Sequence, residues 1–192
     1  RTDFQNQVVV DLYQGPQQVK FYDLKGVSFA NSFQLDFNFE PLHQLYFRTA
    51  YKYYDIQTDY RWERKEKPLQ AKHRLFENIA YETHPTAKGH IWKFDLTFNW
   101  LGAQTLPYTV SNAGSDQFPA KSTPYTLANM QCTHIFGKQF EVYVGVENLT
   151  NYRQPKAILG ANDPFGVSFD TSIVYAPVFG SMYYAGLRYK LD

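Results

Sequence analysis

The sequence contains no apolar run of about 18 residues, which excludes a transmembrane helix. It contains one cysteine, Cys132, which excludes an intrachain disulfide. Charge of neither sign prevails, because the formal net charge is +1 and Lys and Arg are spread along the chain; nucleic acid is therefore not expected as a partner. A sustained 3.6-residue apolar period is also missing, so we expect very little helix.

The start of the sequence lacks a basic-then-apolar signal segment. The chain begins with Arg1, and a strand-like sequence, DFQNQVVVDLY at residues 3–13, follows almost immediately. This opening favours the interpretation that the chain is a piece of a longer protein.

Aromatic residues are abundant, at 18% of the chain, and apolar side chains recur at every second position. Such alternation, rich in aromatic and β-branched residues, is typical of β-strands. It predicts an all-β, antiparallel protein of about eight long strands. The predicted strands lie near residues 3–13, 26–39, 44–57, 70–84, 90–101, 124–136, 139–149 and 180–191.

Short and long connections alternate between these strands. The short ones are 40–43, 85–89 and 137–138. The longer ones are 14–25, 58–69, 102–123 and 150–179. An up-and-down meander with one plain rim and one elaborated rim has this pattern, as in bacterial outer-membrane barrels. Strands can cross a membrane without a long apolar run, because only alternate residues contact lipid.

Segment 90–101, HIWKFDLTFNWL, separates an apolar face from a polar face most clearly. The apolar parity is Trp92, Phe94, Leu96, Phe98 and Trp100, and the polar parity is Lys93, Asp95, Thr97 and Asn99. The two tryptophans lie roughly 26 Å apart along a strand. Tilting the strand shortens this distance toward the height of a lipid-facing band between two aromatic girdles. We therefore predict that Trp92 and Trp100 are membrane-girdle residues.

Two segments separate their faces less clearly. In 70–84, Glu77 shares its parity with apolar residues, and an isolated charge facing lipid is unfavourable. In 124–136, Ala128, Met130 and Cys132 are expected on the apolar side, although neither side is uniformly apolar. A soluble two-layer protein would also alternate, but the long strands, the Trp spacing and the rhythm of the connections favour the membrane interpretation.

The C-terminal text resembles the last strands of a TonB-dependent outer-membrane receptor of the kind abundant in Bacteroidota. Its sequence is VYVGVENLTNYRQPKAILGANDPFGVSFDTSIVYAPVFGSMYYAGLRYKL, residues 142–191. In that family a strand end like GVENLTNYRQ precedes a long loop with runs like NDPFG, FDTS and PVFG, and a strand like YAGLRY closes the barrel. The resemblance covers essentially the whole chain and is strongest over 139–191.

The resemblance implies a bacterial outer-membrane location and a role in importing a scarce nutrient, such as a siderophore, cobalamin or similar chelate, or an oligosaccharide. The family's barrel has 22 strands and an N-terminal plug, so this chain would supply only the last eight strands. Its expected partners are outer-membrane lipid, the remainder of the barrel and plug, TonB through the missing N-terminal part, and the barrel assembly machinery. The mechanism is binding and gating, so we expect no enzyme activity and no cofactor.

The final strand also resembles the outer-membrane assembly signal of that class. The matching residues are Tyr184, Gly186, Tyr189 and Leu191. The chain departs from the usual pattern at its end, where Leu191 and Asp192 stand in place of an aromatic last residue.

Candidate ligand-binding residues lie in three of the long connections. The segment TDYRWERKEKP, 58–68, combines aromatic and cationic side chains that suit an anionic or planar ligand. The candidates are Tyr60, Arg61, Trp62, Arg64, Tyr108, Arg153, Asp163 and Phe165. The five histidines are scattered, and no set of residues has the spacing of a metal or catalytic site.

Two alternatives remain open at this stage. A complete eight-stranded outer-membrane barrel, an enzyme or an adhesin, is one, since eight strands suffice to close a small barrel. A soluble aromatic-rich binding module is the other.

Overall fold

The computed structural model describes residues 7–13, 18–61, 63–109, 112, 114–137 and 139–191. These residues form ten strands and one short 3-10 helix, Gly114–Asp116. The strands are β1 (Val8–Asp11), β2 (Lys20–Asp23), β3 (Ser28–Leu42), β4 (Leu45–Tyr60), β5 (Glu63–Glu66), β6 (His73–Glu82), β7 (Ile91–Leu101), β8 (Tyr125–Phe136), β9 (Phe140–Glu147) and β10 (Met182–Tyr189). Among the described residues, no helix has the length and apolar character needed to cross a membrane.

Eight of the strands form one antiparallel up-and-down sheet, which confirms the predicted fold class. The strand order is β10-β9-β8-β7-β6-β4-β3, and β5 pairs with the far end of β4. The sheet is open: within the described part of the chain, the outer strands β3 and β10 do not pair with each other. The strands contact chiefly their immediate neighbours, so the sheet is a single layer.

The prediction that segment 3–13 belongs to this sheet is wrong. Residues 1–6 lie outside the described residues, and β1 pairs with β2 in a separate two-stranded ribbon. The ribbon includes part of 14–25, which was expected to be a loop. Asp11 on β1 is buried and accepts a hydrogen bond from the Tyr22 hydroxyl of β2 at 2.8 Å. Alternation predicts that a segment is a strand but does not predict which strand it pairs with. The assignment of segment 3–13 to the large sheet was wrong for this reason.

The predicted loop 58–69 is largely a hairpin. Residues 58–60 complete β4, residues 63–66 form β5, and the pairing ends at Tyr60 opposite Glu63. The hairpin extends β4 to 16 residues, whereas the segment of β4 paired with β6 ends at Tyr53. The charged sequence of β5, ERKE, has no apolar alternation, so the sequence pattern did not predict this strand.

The connections lie on two different rims, as predicted. One rim, the turn rim, carries the tight turn 43–44, the segment 83–90 and the turn at Gly137. Gln44 and Gly89 there have φ of 68° and 75°, the left-handed conformation of tight turns. The turn expected at 40–43 is shorter than predicted, because β3 continues to Leu42. The opposite rim, the loop rim, carries the ribbon, the β4–β5 hairpin and the β7–β8 and β9–β10 connections.

The register places most of the apolar residues of the long strands on one face, with exceptions such as Phe76 and Leu127. Directly paired residues share a face of the sheet. One transverse row runs through Phe39, Phe47, Ile79, Leu96, Met130, Val146 and Tyr183. Many large side chains on this apolar face are exposed, among them Phe37 at 58% and Leu187 at 70%. The expected positions of Met130 and Cys132 on the apolar face are confirmed by their pairing with Leu96 and Phe94.

Glu77 lies on the apolar face, as its parity predicts, between Thr49 of β4 and Phe98 of β7. The Thr49 hydroxyl donates a hydrogen bond to the Glu77 carboxylate. This bond partly offsets the cost of a carboxylate among apolar neighbours.

The largest cluster of buried apolar side chains lies in the loop rim rather than on the sheet. Leu106 and Phe118 of the β7–β8 connection pack with Leu159 and Ile173 of the β9–β10 connection. Leu69 and Tyr175 pack around them. We call these four central residues the loop core.

Candidate binding surface at the loop rim

A single buried glutamine organises the β9–β10 connection. Gln154 donates from Nε2 to the carbonyl oxygens of Lys156 and Ile173, at 2.6 and 2.9 Å. Its Oε1 accepts from the backbone amides of Tyr175 and Ala176, at 2.9 and 3.2 Å. Satisfying four backbone groups from one side chain lets this long segment be buried without a strand ladder.

A second polar hub ties the hairpin to the β7–β8 connection. The Glu66 carboxylate accepts hydrogen bonds from Lys72 Nζ at 2.6 Å and from the Thr105 hydroxyl at 2.9 Å. The bond from Lys72 lowers the pKa of the Glu66 carboxyl, and the same bond raises the pKa of Lys72. Tyr13 also donates its hydroxyl to the Glu66 carbonyl oxygen at 2.7 Å. The ribbon, the hairpin and the loop therefore meet at this residue.

A groove of about 830 Å³ lies between the ribbon and the β4–β5 hairpin. Its lining residues are Tyr22, Asp23, Lys25, Gly26, Asp59, Tyr60, Arg61, Glu63 and Arg64. Acidic and basic side chains are mixed in this set, so the described lining favours no single sign of charge on a ligand. Three candidates predicted from the sequence, Tyr60, Arg61 and Arg64, thus come together at one groove.

These three residues already form most of their polar and aromatic contacts with neighbouring side chains of the protein. The Arg64 guanidinium binds the Asp59 carboxylate through two hydrogen bonds, of 2.7 and 3.2 Å. That interaction, with a bond from the Val27 amide, lowers the pKa of Asp59. The Arg61 guanidinium lies 4.7 Å from the ring centroid of Tyr22. Arg61 therefore offers the groove a cation that is stacked on an aromatic ring.

Tyr60 contributes little exposed surface to the groove. Its side chain is 8% exposed and packs edge-to-face on Tyr13 at a centroid distance of 5.1 Å. Burial, with the charge of Asp11, raises the pKa of Tyr60 to about 12. Trp62, the remaining candidate in this segment, lies outside the described residues.

The other four candidates lie elsewhere on the loop rim and line no common groove with Arg61. Tyr108 and Arg153 are exposed, and Arg153 lies against Gly180. Asp163 borders a smaller depression that also includes Asp116. Phe165 is fully exposed at the tip of a turn. Among the residues that the structure describes, no three His, Cys, Asp or Glu side chains converge as metal ligands.

The two predicted girdle residues lie on the apolar face near opposite ends of β7. Trp92 is 44% exposed and stacks on His134 of β8 at a centroid distance of 4.1 Å. Trp100 is 36% exposed and lies beside Leu75 of β6. These positions fit two levels of aromatic contact on the same exposed face.

The predicted assembly-signal residues lie at the outer strand and pair closely with β9. Gly186 faces Tyr143 and Gly145 faces Tyr184, in two cross-strand pairs on the same side of the sheet, one on each side of the Ala185–Val144 pair. A Cβ atom at either glycine would collide with the opposite tyrosine ring. Each tyrosine ring therefore covers the backbone of the opposite glycine. This arrangement protects the backbone hydrogen bonds from water and fixes the register of the strand pair. Tyr189 and Leu191 are exposed on and beyond the end of β10.

Several residues that build the loop rim were not predicted from the sequence. Tyr22, Glu66 and Gln154 stand in segments without a clear period, and their roles depend on distant partners. The aromatic residues Phe21 and Tyr22, which favour strands, were the local signal for β2.

Comparison with known proteins found no match among family models, curated proteins or solved structures. Function is therefore inferred from the residues and their geometry.

Proposed function

We propose that the chain is part of the wall of a bacterial outer-membrane receptor of the TonB-dependent kind, which imports a scarce nutrient. The supporting observation is the exposed apolar face, which runs in register from β3 to β10. Apolar area in water costs about 25 cal/mol per Å², so a face of this extent is favoured against hydrocarbon. The opposite face carries charges and amides, which suits a water-filled interior.

Strand length supports the same proposal. A strand needs about 9–11 residues to cross a bilayer when tilted. Five strands reach this length, since β6, β7 and β8 have 10, 11 and 12 residues and β3 and β4 have 15 and 16; β9 and β10 are shorter, with 8 each. The longer strands would extend beyond the hydrocarbon on the loop rim, where charged residues such as Asp59 and Arg64 begin.

The open edges of the sheet support a role as part of a larger wall. Unpaired strand edges cannot face lipid, because their backbone groups would lack partners. Further barrel strands would pair with β3 and β10, and a plug domain would lie against the polar face. The assembly machinery would recognise β10, and TonB would act through the plug. The loop rim would contribute to nutrient binding at the groove beside Arg61.

Depth-dependent quenching of tryptophan fluorescence tests the proposal. The chain is refolded into vesicles whose lipids carry bromine either near the headgroup or deep in the acyl chain. Variants retain one tryptophan at a time, with Phe as the replacement. Trp92 and Trp100 are expected to be quenched best by shallow bromine. A tryptophan in the Leu96→Trp variant is expected to be quenched best by deep bromine.

The matched control is Thr97→Trp, at the next position of β7 but on the polar face. It is expected to escape quenching by deep bromine. Equal quenching of the Leu96 and Thr97 variants, or none in either, would contradict the proposal. A monomer that stays soluble without detergent or lipid would favour the soluble binding module instead. A closed barrel in which β3 pairs with β10 would favour the complete eight-stranded barrel.

A further inference from the structure

Two cations lie directly opposite each other on the polar face of the sheet. Lys52 of β4 is the cross-strand partner of Arg74 of β6. Like charges in this position destabilise a strand pair. In the part of the chain that the structure describes, neither side chain forms an ion pair with an acidic residue.

Arg74 also carries an unsatisfied polar atom. Its Nε is buried and has no hydrogen-bond partner among the described residues. The ring centroid of Tyr54 lies 4.9 Å from Lys52 Nζ and 5.9 Å from Arg74 Cζ, so both cations lie against the same aromatic ring. A ring attracts cations but does not replace a carboxylate as acceptor for a guanidinium fork. The pair therefore lacks an anion.

The two cations border a shallow cavity of about 350 Å³. Eight of its ten lining residues form two neighbouring transverse rows on the polar face, and the other two, Leu75 and Trp100, stand between these rows along β6 and β7. One row is Gln34, Lys52, Arg74 and Leu101, and the other is Ala50, Phe76, Asn99 and Leu127. The lining contains no acidic side chain, and its apolar members suit the body of an organic molecule.

Three other cations on this face are paired with acidic side chains. Arg48 lies 3.9 Å from Asp36, Lys93 lies 2.8 Å from Glu82, and Arg188 pairs with Glu141. An acidic peptide would need a row of free cations, whereas this face offers one localised pair. The cavity volume is at the small end of the range for small-molecule sites.

We infer that this cavity binds a small organic carboxylate, with its charged group between Lys52 and Arg74 and its apolar body against Phe76 and Leu101. The Arg74 fork suits a carboxylate because it donates two parallel hydrogen bonds. The inference goes beyond the proposed function, because it requires only the polar face and makes no use of lipid.

Benzoate titration tests this inference on the chain held in micelles of dodecyl maltoside, a nonionic detergent. Binding is followed by calorimetry and by the NMR signal of the Arg74 Nε–H group. Benzoate is expected to bind saturably and to shift that signal, and benzamide, its neutral analogue, is expected to do neither. Arg74→Gln and Lys52→Gln are each expected to weaken benzoate binding at least tenfold, and Arg74→Lys less than Arg74→Gln. The control Lys93→Gln, on the same face but ion-paired, is expected to bind as the parent does.

Three results would overturn the inference. One is equal benzoate binding by the parent and both glutamine variants, when circular dichroism shows that all retain the β-structure. Another is equal binding of benzamide, which would indicate partition into the micelle. The third is a hexaglutamate peptide that binds more tightly than benzoate with the same residue dependence, which would indicate a docking surface for an acidic chain. Lys52→Gln carries the test if Arg74→Gln does not fold, and lipid quenching on the opposite face tests the proposed function separately.

Discussion

The sheet and the loop rim are ordered in opposite ways. The sheet is a single layer whose inner strands are paired on both sides, while many of its large apolar side chains remain exposed. The two long connections of the loop rim, β7–β8 and β9–β10, have little regular structure, yet they contain the loop core and the buried Gln154. The loop rim therefore buries its apolar side chains within itself, whereas the exposed apolar face of the sheet needs an apolar environment to cover it. This contrast is expected of a protein whose strands meet lipid and whose loops meet water.

The largest expected effect is on the loop core. Leu159→Ala removes a fully buried side chain, 2% exposed, and should destabilise the rim by about 2–5 kcal/mol through lost burial and a cavity. Hydrogen exchange should report faster exchange in the β7–β8 and β9–β10 connections, with the β6–β7 ladder unchanged. Ile158→Ala, at the exposed neighbouring position, serves as the control. Equal loss of protection in both regions would show that rim and sheet are not separate units.

The next effect concerns the sheet in lipid. Leu96→Arg places a charge in the middle of the apolar face and should cost about 2–4 kcal/mol in vesicles. Thr97→Arg, on the polar face of the same strand, should cost less because it lies beside Asp95 and faces away from lipid. Guanidinium unfolding of the vesicle-refolded chain measures both values. A larger loss for Thr97→Arg would reverse the assignment of the two faces.

A smaller effect is expected at the β9–β10 pair. Gly186→Ala should cost about 1–2 kcal/mol, because the new methyl group collides with the Tyr143 ring. In the Gly186→Ala, Tyr143→Ala double variant, much of that cost should disappear, which gives a coupling energy between the two sites. Purely additive single and double variants would mean that the ring does not restrain this strand pair.

The smallest effect is a pH dependence of the loop rim. The pKa of Glu66 is lower in the folded chain than its ordinary value of 4.5. The ion pair with Lys72 thus contributes stability that is fully present above pH 4.5 and is lost as pH falls through the lowered folded value. Because the pair is partly exposed, the contribution should be below about 1 kcal/mol. The protection factors of the Leu69 and Leu106 amides, which correct for the intrinsic exchange rate, should fall in acid, and Glu66→Gln should remove that acid dependence.

Sequence periodicity predicted the sheet well, because strand and face are local properties. The parity of Trp92 to Trp100 was sufficient to assign both sides of β7, and the register extended this assignment across the sheet. The partner of β1 and the hairpin at Tyr60 were not predictable in the same way, since pairing depends on distant segments. The loop core was not predicted because Leu106 and Leu159 lie in segments of the sequence that have no apolar periodicity. For the candidate site, residue type alone made Arg61 and Arg64 candidates for ligand binding. The ion pair between Arg64 and Asp59 could not be predicted in this way, because it depends on the three-dimensional arrangement of the hairpin.

Spin-label scanning of β7 tests the central claim most directly. Labels are attached to single cysteines at positions 93–99 of a Cys132→Ser chain in lipid vesicles, and collisions with oxygen and with a water-soluble nickel chelate are measured. We predict that oxygen accessibility peaks at positions 94, 96 and 98, and that nickel accessibility peaks at the positions between them. Oxygen peaks at 93, 95 and 97, or no alternation at all, would contradict the assignment of the apolar face to hydrocarbon.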